Sequence, residues 1–256
     1  MYKLKTTKNK IQKNNQSILF LATLLAVVSI FFLLFLSSCS VARVIGIGNV
    51  VSEERPVSGI ESISIGSSMN LIIEQGENES LRIEASDNIL PNITNEVVNG
   101  ELQLELKSIN FSGITPINCF VKVKNLNGVK VSSSASVKCE ELKTENLFIQ
   151  MASSSKGSLT VEVTNLEIKV ASSANLTLSG KAESQDIEVN SSGKLDAFAL
   201  NSKDCKVDVK SSGVANISVS DNLDAKVSSS ANVNYKGNPT VISDVSSSGS
   251  LRKVSN

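Results

Sequence analysis

Apolar and polar residues alternate along most of the second half of the chain, and one short phrase punctuates the alternation at nearly fixed intervals. It reads apolar, any, Ser, Ser, Ala or Gly, any, apolar. Clear copies are Val131 to Val137, Val170 to Leu176, Val189 to Leu195, Val209 to Ala215, Val227 to Val233 and Val245 to Leu251. A blurred copy, two residues longer, lies at Met151 to Leu159, and an outlying one at Ile65 to Leu71. Taking the second serine as marker gives Ser134, Ser173, Ser192, Ser212, Ser230 and Ser248, with the blurred copy near Ser155, so the repeat is 18 to 21 residues. A period of this length marks a solenoid, in which each unit buries its apolar side only by stacking on the next.

Within one unit Ile168, Val170, Ser172, Ala174, Leu176 and Leu178 interleave with a mostly polar set, which is period two and therefore strand. The same columns return as Val189, Ser191, Gly193, Leu195 and as Val227, Ser229, Ala231, Val233, so like sits over like. This predicts an all-β fold, a single-stranded parallel β-helix with one coil per repeat. A leucine-rich repeat would need a Leu-rich consensus and a helical stretch, and neither is present. Seven coils at a strand spacing of about 4.8 Å predict a stack roughly 30 Å tall.

Residues 59–125 are less regular. Strands are expected at residues 60–65, 71–75, 81–85, 102–106 and 120–123, with Asn99-Gly100 as a hairpin turn and a turn or very short helix near Pro91. This section is expected to cap one end of the β-helix or to supply its first coils, because a terminal coil otherwise exposes strand edges. The organisation read from the chain is an export signal at 1–38, a tether at 39–58, the irregular β section at 59–125 and the repeats at 126–256, with 59–254 as one domain.

The export signal has five lysines ahead of a charge-free run from Ile18 to Leu36, 19 residues long and nearly long enough to span a bilayer. Its end, Leu36-Ser37-Ser38-Cys39, resembles the bacterial lipobox, in which the cysteine thiol receives a diacylglyceryl group and becomes the mature N-terminus. Cys39 is thus the expected lipidation site and the membrane the expected partner through that lipid. An uncleaved anchor with an incidental Cys39 is the alternative; either way, lysines held inside leave residue 40 onward outside the cytoplasm. No acidic residue directly follows Cys39, which in the sorting scheme this resembles favours the outer membrane.

Ile63 to Gly76, then Leu81 to Pro91, and the ending Gly237-Asn238-Pro239-Thr240-Val241 with Ser246 to Val254, resemble the head GIN domain family, described as autotransporter adhesins. The similarity spans roughly residues 59–254. It implies a right-handed β-helix on an exported protein of Bacteroidetes-type bacteria, and it supplies no catalytic residues.

Composition narrows the chemistry. The chain has no His and no Trp, and aromatic residues make up 4%. Absence of His removes the commonest general base, the usual catalytic triads and most zinc sites. All five lysines of the signal precede Glu53, so residues 39–256 carry 20 basic and 25 acidic side chains, a net of about −5. A nucleic-acid partner is not expected. Cys119, Cys139 and Cys205 fall on inward parity and are expected to be buried thiols rather than a disulfide. Acids such as Asp186, Asp196, Asp204, Asp208, Asp221, Asp224 and Asp244 do not recur as a column, which argues against the clustered carboxylates of a polysaccharide lyase or hydrolase. No enzyme, cofactor or metal site is expected.

The serine ladder is the remaining candidate. If strand parity runs through the phrase, Ser133, Ser172, Ser191, Ser211, Ser229 and Ser247 point inward and bond to main chain or to each other. The next column, Ser134, Ser173, Ser192, Ser212, Ser230 and Ser248, then faces outward as a hydroxyl strip able to contact an extracellular glycan or surface protein. A corner that admits only small side chains would select the same serines. Three classes follow: a lipid-anchored surface-binding module, an envelope structural or assembly module, and a carbohydrate-active enzyme.

Overall fold

The computed structural model describes residues 43–46, 48–107, 110–113 and 115–255. The export signal and Cys39 lie outside the described residues. Among those described, no helix is long and apolar enough to cross a membrane.

The described residues begin with β1 (Arg43–Gly46) and β2 (Val50–Arg55), then β3 (Ser62–Ile65), β4 (Asn70–Gln75) and β5 (Ser80–Ser86). A 3₁₀ turn at Leu90–Asn92 leads to β6 (Ile93–Val98), β7 (Glu101–Leu106), β8 (Asn110–Gly113), β9 (Asn118–Val123) and β10 (Gly128–Val131). Five long strands follow, β11 (Ser136–Met151), β12 (Lys156–Val170), β13 (Asn175–Val189), β14 (Lys194–Val209) and β15 (Val214–Val227). The chain closes with β16 (Asn232–Lys236), β17 (Thr240–Val245) and β18 (Ser250–Lys253).

This is the parallel β-solenoid that the repeat predicts. Each long strand takes up nearly a whole coil, and successive coils pair in parallel: β11 with β12, β12 with β13, β13 with β14 and β14 with β15. The register places like over like. One inward column runs Ile149, Ile168, Ile187, Val207, Ala225, and another Met151, Val170, Val189, Val209, Val227. These side chains are buried, and burying each Val, Leu or Ile contributes about 1.5–3 kcal/mol of hydrophobic stabilisation. The blurred copy is the same length as the others: Met151 pairs with Val170 and Lys156 with Asn175, so Gly157 takes the final apolar position opposite Leu176. Met151 fills the room that Gly157 leaves, its Cε standing 3.0 Å from where a methyl group on Gly157 would sit. Coil lengths differ where the ladder shifts register, between Cys139 and Leu142, Thr177 and Ser179, Ala197 and Asn201, and Ser202 and Asp204.

The first section both caps and begins the stack. β3 and β4 form a coil of their own, joined by a Ser67-Ser68 turn and paired in parallel with β10 and β11. β7 and β9, paired with β3 and β4, continue the two walls outward. The antiparallel strands β5, β6 and β2 then close this end, β5 on β9, β6 on β7 and β2 on β5. The Asn99-Gly100 hairpin between β6 and β7 forms as expected. The tether expectation is corrected over residues 50–55: they are the edge strand β2. Arg55 fastens it, donating from Nη2 to Leu90 O at 3.0 Å and from Nη1 to Asn95 Oδ1 at 3.0 Å. β1 pairs in parallel with β8.

Candidate functional site

The serine phrase is a turn. Both serines of every copy take positive φ, between 47° and 63°, at Ser67-Ser68, Ser133-Ser134, Ser153-Ser154, Ser172-Ser173, Ser191-Ser192, Ser211-Ser212, Ser229-Ser230 and Ser247-Ser248. The amide two residues past the first serine closes each turn onto the carbonyl before it, as from Ala135 to Ser132 O at 3.0 Å and from Gly193 to Asn190 O at 2.9 Å. Two left-handed central residues define a turn of the type I′ kind. A ladder of main-chain bonds welds the turns: Ser134 N donates to Ser153 O at 2.9 Å, Ser192 N to Ser211 O at 3.0 Å, and Ser230 N to Ser247 O at 3.0 Å.

Strand parity therefore stops at the serines, and the expectation for the first column is overturned. Ser133, Ser172, Ser191, Ser211, Ser229 and Ser247 are exposed, because a left-handed pair turns both side chains outside the coil. The second column, Ser134, Ser173, Ser192, Ser212, Ser230 and Ser248, is exposed as well. The inward position at the corner belongs to the next residue: Ala135, Ser155, Ala174, Gly193, Gly213 and Ala231 are buried. Room there is short, since a methyl group on Gly193 would lie 2.6 Å from Val170 O. The result is one edge of the solenoid bearing two rows of hydroxyls, none held by a hydrogen bond within the described residues.

The left-handed geometry is costly for serine, of the order of 1–3 kcal/mol per residue. Asn and Gly adopt it more readily. The chain uses that pair for the same turn at Asn99-Gly100 and uses Ser-Ser at all eight coil corners.

A second feature lies at the opposite corner, where Glu145, Thr164, Glu183 and Lys203 drop out of the ladder. Directly after them, Asn165 Nδ2 donates to Asn146 Oδ1 at 2.9 Å and Ser184 Oγ to Asn165 Oδ1 at 3.0 Å. Asn222 Nδ2 donates to Asp204 Oδ1 at 2.7 Å further along the column. This row forms one lip of an open groove of about 480 Å³ that extends across successive coils from Asn127 to Asp204. Phe148, Glu167, Asp186 and Lys206 form the other lip, and Leu147, Leu166, Gln185 and Cys205 line the floor. Lys169 Nζ lies 5.3 Å from the Phe148 ring centroid, and Lys206 pairs with Asp186 at 3.1 Å. Gln185 is 3% exposed, and neither amide atom has a hydrogen-bond partner in the protein. Sequence reasoning centred on the serine phrase missed this row; the signal was an Asn, Asn, Ser, Asp, Asn column with the same period, at 146, 165, 184, 204 and 222.

The other candidates are quiet. Cys119, Cys139 and Cys205 are buried and unpaired. Burial pushes the Cys119 thiol up to about 12 and raises Cys139 and Cys205 as well, the reverse of what a reactive thiolate needs. Asp186 and Asp208 lie on the outer face of the coil in ion pairs with Lys206 and Lys210. Among the described residues no group of three or more Cys, Asp or Glu is placed to hold a metal ion.

Fold and edge together define a non-helical repeat protein, a parallel β-solenoid that displays the same polar groups once per coil. The chain belongs to the family described as "Putative auto-transporter adhesin, head GIN domain", which matches residues 60–239. Solved structures share the fold. A putative adhesin from Bacteroides fragilis NCTC 9343 is 20% identical, with a TM-score of 0.77 over 82% of this chain and 100% of that one. A putative lipid binding protein from Parabacteroides distasonis ATCC 8503 is 24% identical, with a TM-score of 0.69 over 83% and 99%. A putative adhesin from Parabacteroides merdae ATCC 43184 is 20% identical, with a TM-score of 0.67 over 83% and 99%. No curated protein matches the sequence.

Proposed function

We propose that the chain is an exported cell-envelope protein, anchored by lipid on Cys39 to the outer membrane, that binds an extracellular glycan or surface protein along its serine edge and catalyses nothing. One observation carries the reading. Eight turns keep serine where the chain itself shows that Asn-Gly makes the same turn, so hydroxyls are retained at a cost in backbone strain. A polar group repeated once per coil suits many weak contacts acting together, and multivalency multiplies their strength. The adhesin descriptions of the family and of two structural relatives point the same way.

The test is an array of glycans and surface proteins probed with the full chain in detergent, beside a variant carrying Ser134→Gly, Ser192→Gly and Ser230→Gly. Glycine keeps the turn and removes the hydroxyl. A partner whose binding falls at least tenfold in the variant supports the reading; unchanged binding refutes it. Anchoring is checked separately: Cys39→Ser should abolish acyl labelling and release the protein from the membrane fraction.

A further inference from the structure

We infer that the groove between the Asn146, Asn165, Ser184, Asp204 lip and the Phe148 lip is a binding site for an uncharged linear polysaccharide, laid along the solenoid axis. The inference rests on the reading that the chain binds a partner outside the cell, and it adds a site apart from the serine edge.

Shape gives the first argument. The groove is open and crosses successive coils, so it admits an extended polymer rather than a compact metabolite, and its lip groups recur at the coil spacing of about 4.8 Å. A polymer with a short repeat meets an equivalent group on each coil.

The lip chemistry narrows the polymer. Carboxamides offer donor and acceptor side by side, which is what sugar hydroxyls need, since each hydroxyl both donates and accepts. Asn165 spends one N–H on Asn146 and one lone pair on Ser184, which fixes the amide in place and leaves its second N–H for a ligand. The half-buried Phe148 ring on the facing lip, with Lys169 Nζ 5.3 Å from its centroid, supplies an apolar edge for the C–H face of a sugar ring.

Charge disfavours the acidic polymers. Of the acids that line the groove, Glu167 is paired with Lys169 and Asp186 with Lys206, while Asp204 is in no ion pair and leaves the groove net negative. An added carboxylate or sulfate would meet like charge.

The experiment measures binding of the full chain in detergent to short linear oligosaccharides cut from neutral glucans, mannans and galactans, with oligouronates alongside. A neutral oligosaccharide should bind and the uronates should not. Asn165→Ala and Asp204→Ala should each weaken that binding about tenfold, the loss of roughly one hydrogen bond. The triple serine-to-glycine variant should leave it unchanged, and melting curves should show every variant folded. Equal or tighter binding of uronates overturns the inference, and so does the absence of binding to any neutral oligosaccharide. Loss of affinity in the serine variant alone also overturns it while leaving the serine-edge reading intact.

Discussion

Replacing Gln185 by leucine tests the packing logic of the solenoid in one step. Its neighbours in the inward column are Leu166 on one coil and Cys205 on the next, and its amide has no protein partner while only 3% of the residue is exposed. Burying a polar group without a hydrogen bond costs about 1–3 kcal/mol. Gln and Leu are close in size, so the substitution removes this penalty without opening a cavity or crowding the column. The expected gain is about 2 kcal/mol, which at a urea slope of about 2 kcal/mol/M moves the unfolding midpoint up by about 1 M. The reciprocal change, Leu166→Gln, should lower stability by a similar amount by creating a second unpaired amide. Urea titration followed by far-UV circular dichroism reads both. A Gln185→Leu protein that is less stable than the parent, or equal to it within a few tenths of a kcal/mol, would show that the amide is satisfied and that the reasoning fails.

Other changes probe the corners and the core. Ser172→Asn with Ser173→Gly should raise stability by about 1 kcal/mol in thermal unfolding, because the left-handed turn then costs less; a loss would mean the serine side chains support the fold. A methyl group at Gly157 would lie 2.9 Å from Leu176 Cδ1 and 3.0 Å from Met151 Cε. Gly157→Ala should therefore cost about 1–3 kcal/mol by overpacking, and Met151→Val should recover part of it in a double-mutant cycle; strict additivity would refute the pairing. The Cys119 thiol, pushed up to about 12 in the fold from an ordinary 9.0, should resist iodoacetamide at pH 8.5 until urea unfolds the chain. Since the folded state holds that proton more tightly, its contribution to stability is complete below pH 9 and declines as pH rises toward 12.

The solenoid and its columns were legible because period two and the coil period are both written in side-chain size. Val170, Val189, Val209 and Val227 recur at the same place in the phrase, and backbone pairing stacks them. The serine turn was not legible from parity. Val131, Ser133, Ala135 and Val137 keep an unbroken alternation, and the left-handed pair reverses the chain without shifting the inward positions on either side. Only the unbroken smallness of both serine positions in every copy hinted at a turn. β2 was hidden for another reason: its residues 50–54 are exposed, so the strand carries no buried alternation, and what holds it is pairing with β5 and the long reach of Arg55. The groove depends on a corner with no Gly or Pro to announce it. Thr144 to Leu147 continues as strand while the ladder skips Glu145.

The direction of the ladder has a mechanical outcome. In a stack of this kind the main-chain bonds between coils point along the axis, so tension applied along that axis loads one ring of bonds at a time and peels the molecule winding by winding. Tension applied across it pulls many bonds in shear together. A protein built this way gives gradually when drawn out lengthwise and holds firm against a sideways drag.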